Sequence, residues 1–208
     1  HNALAARAFI HLGDIASIDG AHDRSLAAYR TVIESYSHTP QIKAARLGMA
    51  KVLFNNQRES EVPLALGRLT EDENTSIAAE ALLLLGRSFY ETHQYDEALK
   101  TFRRIPSGEF SPQAILAAGW ALWKLGDFDL VAAEIEPLAD DPYWAVEHGY
   151  LLGMAAYGEN KWPEAIKQLS QALQGSEKHP HRDAILFYLG ENQLRDGQTD
   201  AAIESFRT

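Results

Sequence analysis

Eight histidines, His1, His11, His22, His38, His93, His148, His179 and His181, are the side chains of this sequence best suited to bind a metal or move a proton near neutral pH. Only His179 and His181 lie close together, in the run EKHPHRD. A metal there needs further ligands from Glu177 or Asp183, and a solvated turn is the simpler expectation. His1 reads as the remnant of a tag. The acidic groups Asp140/Asp141 and Glu71/Asp72/Glu73 fall where loops are expected, and Asp and Glu suit turns and helix starts. Nothing in the sequence encloses them as catalytic carboxylates require. Without cysteine there is no disulfide, thiolate metal site or cysteine nucleophile. No phosphate loop, dinucleotide fingerprint, HExxH or calcium-loop pattern occurs. The expectation is a protein that is not an enzyme and has no cofactor or metal.

Charge narrows the partners. Acids outnumber bases by 29 to 19, giving a formal net charge of -10 and a pI near 5.2. A nucleic-acid backbone or an anionic membrane is bound by clustered Lys and Arg, so neither is expected. With 208 residues, 46% of them hydrophobic, the chain is long enough to bury a sizeable core. No stretch reaches the roughly 18 apolar residues of a spanning helix, so no membrane insertion is expected within this segment, and HNALAARAFI is no signal peptide. The chain lacks an initiator Met and stops at SFRT in mid-pattern, as expected of a piece of a longer protein.

The elements that must position any site follow from a repeat. Gly13, Gly48, Gly86, Gly119, Gly153 and Gly190 share one local setting, with spacings of 35, 38, 33, 34 and 37 residues. Each lies among apolar residues at helical spacing, such as Leu82, Leu85 and Phe89. Glycine inside a helix costs about 1 kcal/mol relative to alanine. Six recurrences point to close approach of a second helix. Seven to nine residues later the sequence turns polar or glycine-containing, and a second amphipathic stretch begins, as in QYDEALKTFRRI and KWPEAIKQLSQAL. Twelve residues beyond the glycine the side chain is small in most repeats (Ser25, Ser60, Ala98, Ala165, Ala202; Val131 is the exception). Sixteen beyond it stands a large one: Tyr29, Leu64, Phe102, Ile135, Leu169 and Phe206. That is the pattern of antiparallel helix pairs. The expected fold is all-α, one domain over 1–208, with repeats at 6–40, 41–74, 79–110, 112–142, 146–180 and 183–208. ESEVPLALGRL, with Pro63 and Gly67 inside it, predicts a short or late second helix in repeat two.

Leu-Gly followed by an aromatic or apolar residue, then Ala and Phe/Tyr in the second helix, resembles the tetratricopeptide repeat. The match is best at Leu85-Gly86-Phe89-Tyr95-Ala98-Phe102 and covers nearly the whole chain. The resemblance implies an α-α superhelix whose first helices, here called A, line a concave groove that takes a segment of a partner protein. Carried over by position, the partner-binding groove would hold Arg87, Tyr90, Trp120, Trp123, Tyr150, Met154, Tyr157 and Phe187, flanked by Lys124 and Glu191. Aromatic residues and Met are what protein interfaces enrich at their centres. Packing of these rings repeat against repeat is the alternative. The positions at which some family members clamp a terminal carboxylate hold Ile10, Asp14, Arg46, Glu80 and Leu84, which is no clamp. The rival function is an architectural or oligomerisation module, self-associating through the solenoid ends. Single-stranded RNA as a ligand fits the negative charge badly. AAYRTVIESYSHTP and FYLGENQLRDGQTDAAIESF are similar to bacterial envelope tetratricopeptide proteins, which favours a periplasmic setting, with cytoplasm next.

Overall fold

The computed structural model describes residues 2–207, in which twelve α-helices and three short 3-10 turns account for all the regular structure, with no strand. His1, the expected tag remnant, and Thr208, the last residue of the expected sixth repeat, lie outside the described residues. The chain divides into two compact units, His1–Ser111 and Pro112–Thr208. Three hairpins build the first: α1 (Asn2–Ile18) with α2 (His22–Ser35), α3 (Gln41–Asn55) with α4 (Val62–Leu66), and α5 (Thr75–Glu91) with α6 (Tyr95–Phe102). Three build the second: α7 (Ser111–Leu125) with α8 (Phe128–Ile135), α9 (Ala145–Gly158) with α10 (Trp162–Gln174), and α11 (Arg182–Arg195) with α12 (Thr199–Arg207).

Every A helix ends in the same way. Its last turn closes on a residue of positive φ, which is Gly20, Gln57, His93, Gly126, Asn160 or Gly197. In each case that residue's N–H bonds the carbonyl three back, and the next N–H bonds the carbonyl five back. Examples are Asn160 N to Tyr157 O at 3.1 Å with Lys161 N to Ala156 O at 2.9 Å, and Gly197 N to Leu194 O at 3.2 Å with Gln198 N to Gln193 O at 2.8 Å. This left-handed cap satisfies carbonyls that the helix end would leave open. It also turns the chain sharply enough for the second helix to start two to five residues on.

The glycines sit where the two helices touch. A Cβ built on Gly153 would stand 2.6 Å from Leu169 Cγ, and one on Gly190 would stand 2.6 Å from the Phe206 ring. Gly86 meets Phe102 in the same way, and Gly119 meets both Ile135 and Leu151. The large residue sixteen positions on is therefore the one each of these glycines admits. Tyr29 does double duty, lying against Gly13 and Gly48 alike. Ser25, Ala98, Val131, Ala165 and Ala202, twelve beyond their glycines, are all buried.

The second hairpin departs from this register. Ser60 and Leu64, the residues expected to pack, are exposed, Leu64 to 84%. Val62 and Leu66 are buried in their place, a shift of two residues. The cause is local. Glu59–Glu61 forms a 3-10 turn, Pro63 confines the helix start to Val62, and Gly67 ends it after a single turn at φ +58°. Arg46 lies over Gly67 and donates from Nη1 to Ala65 O at 3.2 Å, capping the short helix from outside.

Candidate functional site

In the second unit the aromatic residues of the A helices form a connected strip. On α7, one turn apart, Trp120 and Trp123 pack edge to face with centroids 6.0 Å apart, and Trp120 meets Tyr150 of α9 at 5.4 Å. Two turns along α9, Tyr157 packs on Tyr188 of α11 at 5.5 Å, and Tyr188 reaches back to Tyr150 at 6.5 Å. Such tilted and edge contacts suit the ring quadrupole. The Trp123 indole donates to the Met154 carbonyl at 2.9 Å, so α7 is pinned to α9 by a directed bond as well as by area.

Depth separates the members of the strip. Met154 is 2% exposed and Tyr150 7%, packed with Leu169, Ile185 and Leu189. They back the strip and offer a partner almost no surface. Trp120, Trp123, Tyr157 and Tyr188 are partly buried, each leaving part of its ring uncovered. Phe187 is the most open at 51%, edge-on to Tyr188 and tilted against Phe206. Burial pushes the Tyr150 phenol up to about 12, with the neighbouring Tyr188 adding to it, so Tyr150 stays protonated at neutral pH.

Charge lies at the rim. Arg195 is poised over the Tyr157 and Trp162 rings at 5.4 and 5.1 Å, and Lys124 over Trp123 at 5.3 Å, distances at which a cation is drawn to a ring face. Glu191 pairs with Arg195 at 3.6 Å. His181 lies over Tyr150 at 5.6 Å. His179 Nδ1 accepts from the His181 backbone N–H at 3.2 Å, which leaves Nε2 to donate to Glu147 Oε1 at 2.9 Å. The histidine pair therefore ties the loop before α11 to α9. Among the described residues no group of three or more His, Cys, Asp or Glu is placed to hold a metal ion.

Arg87 and Tyr90 belong to the first unit. On α5, Arg87 is exposed with its guanidinium 5.0 Å above the Phe54 ring, and Tyr90 packs edge-on to Tyr95 at 5.3 Å. Burial first, then the nearby Tyr95 and Glu91, raises the Tyr90 phenol to about 12.

Comparison with known proteins bears on what these hairpins are. Residues 150–208 match one tetratricopeptide repeat model and residues 80–107 another. The chain carries tetratricopeptide repeats. No curated protein matches it in sequence. Among solved structures, it is similar to MamA (residues 41 to the end) from Desulfovibrio magneticus RS-1, at 18% identity over 79% of this chain and 91% of that one, with a TM-score of 0.66. A crystal structure of MamA protein matches at 20% identity, 84% and 93% coverage and a TM-score of 0.71. At these identities the likeness establishes the fold, an all-α solenoid of tetratricopeptide type.

Within that repeat frame, Tyr188, Trp162, Arg195 and His181 are strip residues that position alone did not single out. Tyr188 sits two before Gly190, a place filled in the neighbouring repeats by Leu151 and Ala117. Its signal was chemical: a ring where the three preceding repeats carry an aliphatic residue, packed against Tyr150 and Tyr157 of the preceding repeat.

Proposed function

We propose that the chain is a protein-interaction scaffold and that the A-helix face of its second unit takes a segment of another protein. The connected strip with partly open rings, bordered by Lys124 and Arg195, carries this reading. Rings of this kind bury large area at small entropic cost, which is why interface centres concentrate them. Trp120, Trp123, Tyr157, Tyr188 and Phe187 would make the contacts, while Tyr150 and Met154 hold them in place. Arg87 and Tyr90 would be the first unit's own contribution on α5. A photo-crosslinking residue placed at Trp120 or Phe187 in host cells is expected to capture a protein that the same probe at Lys167, on exposed α10 surface, does not. Equal capture from all three positions, or none from 120 and 187, sinks the assignment.

A second reading has its own observation. On α1 the side chains of Leu4, Leu12, Ile15 and Ile18 form an exposed apolar stripe at helical spacing, and Leu194, Ile203 and Phe206 stay open on the last hairpin. Exposed apolar surface of this extent marks contact faces. The architectural function, with copies joined end to end, rests on these two faces. Light scattering then shows mass rising with concentration, and a constant monomer counts against it. The likeness to bacterial envelope repeat proteins supports a periplasmic setting, which fractionation of host cells tests.

A further inference from the structure

The two-residue shift in the second hairpin leaves a cavity in the first unit. Between α2, α3 and the single turn of α4 lies a space of about 250 Å³. Its floor is aliphatic, from Ile33, Met49, Leu53 and Ala65, and Leu64 stands at its lip, the side chain that the regular register would have packed inside. Cavities that take whole drug-sized ligands start at roughly 300 Å³. This one suits a single ring or a short branched chain.

The rim is charged. Arg30 and Arg46 line the cavity together with Glu34 and Glu61. Arg58 holds Glu61 through two bonds of 2.6 and 2.8 Å, so that carboxylate is already engaged. Arg46 commits one donor to Ala65 O, and a guanidinium has five. With Glu61 engaged by Arg58 from outside the cavity, two guanidiniums and one carboxylate, Glu34, remain around the apolar hole, in a chain that is otherwise strongly acidic. A planar guanidinium is matched by a carboxylate, which it can hold through paired hydrogen bonds.

We propose that this cavity binds a small organic acid with an aryl or branched aliphatic tail, the tail seated over Met49 and Leu53 and the carboxylate on Arg30. The site is separate from the aromatic strip and does not depend on its function. It lies where the second hairpin leaves the repeat register.

The chain's own methionines provide the test. There are two, Met49 in the cavity floor and Met154, buried in the second unit, and ¹³C-methyl labelling reads them separately. Titration with 3-phenylpropionate is expected to move the Met49 signal saturably, with a Kd of about 1 mM or below for a ligand of this size, and to leave Met154 in place. Arg30→Gln, an exposed change that leaves the fold intact, is expected to weaken binding about tenfold, as loss of a charge-assisted bond does. The uncharged 3-phenylpropan-1-ol is expected to bind the parent as weakly as the acid binds that variant. A Met49 signal unmoved at about 10 mM acid, tenfold above that Kd, overturns the proposal. So does a shift of both methionines together, or equal binding of the acid and the alcohol.

Discussion

The ring of Tyr29 fills the space above both Gly13 and Gly48, and its hydroxyl donates to Asp14 Oδ1 at 2.6 Å. Burial above all, and then Asp14, raises its pKa well beyond the ordinary phenol value, so it stays a donor across the physiological range. Removing only the hydroxyl, in Tyr29→Phe, is expected to cost about 0.5–1.5 kcal/mol. Removing the ring, in Tyr29→Ala, is expected to cost about 3–5 kcal/mol. Urea denaturation of the two variants separates the bond from the packing. Gly153→Ala tests the converse. Alanine is the better helix former by about 1 kcal/mol, yet its methyl would meet Leu169 at 2.6 Å, and overpacking of this kind costs about 1–3 kcal/mol. Net destabilisation is expected, and a gain in stability would show that Leu169 yields freely. His148 gives a pH dependence. Burial lowers its pKa below the ordinary histidine value of about 6.5, so the folded chain binds its proton less readily than the unfolded one. The stabilisation it contributes is complete above about 6.5 and is lost as pH falls through the folded value. Asp72 and Glu164, whose pKa values are lowered by Lys43 and by Gln168 respectively, lose theirs only below the ordinary carboxylate range. His148→Gln is expected to flatten the milder acid limb of a stability-versus-pH curve and leave the steeper one.

At the scale of the element, the caps of the A helices differ in cost though not in shape. Gly20, Gly126 and Gly197 adopt positive φ freely, whereas Gln57 holds φ +59° with a side chain that makes no hydrogen bond among the described residues. A residue other than glycine pays roughly 1–2 kcal/mol there. Gln57→Gly is therefore expected to raise the first unit's stability by up to about 1 kcal/mol, once the greater freedom of glycine in the unfolded chain is subtracted. A thermal melt by circular dichroism measures it. The six hairpins were legible in the sequence because two constraints coincide. Apolar residues recur with the helical period, and a glycine sixteen residues before a large side chain leaves room for it. Where they part, legibility fails. Pro63 and Gly67 announced a short helix in repeat two, but the choice of Val62 and Leu66 over Ser60 and Leu64 depends on how Glu59–Glu61 turns, and no periodicity records that. The caps at Gln57, His93 and Asn160 were equally hidden, since their residue types do not name the conformation.

Over the molecule as a whole, the sequence located the aromatic residues without fixing their depth. Met154 and Trp120 occupy the same place, one residue beyond the glycine, in successive A helices, yet Met154 is packed with Ile185 and Leu189 of α11 while Trp120 keeps part of its ring open. Depth is set by the following repeat, so a list of positions treats both alike. The end faces lead to an expectation of the same kind. If copies join through α1 of one and α12 of the next, the contact is heterologous. Ile15→Glu and Ile203→Glu should then each be monomeric alone and form a closed pair when mixed, as light scattering would show; a mixture that remains monomeric rules the arrangement out. The division into two units also has an optical consequence. All four tryptophans, Trp120, Trp123, Trp144 and Trp162, fall within Pro112–Thr208. Light absorbed at the red edge of the protein band is therefore emitted from that half alone, while the peptide signal in the far ultraviolet sums over both. The chain carries a built-in reporter for the half that bears the strip, and a partner settling on Trp120 should announce itself as a blue shift or quench without any label.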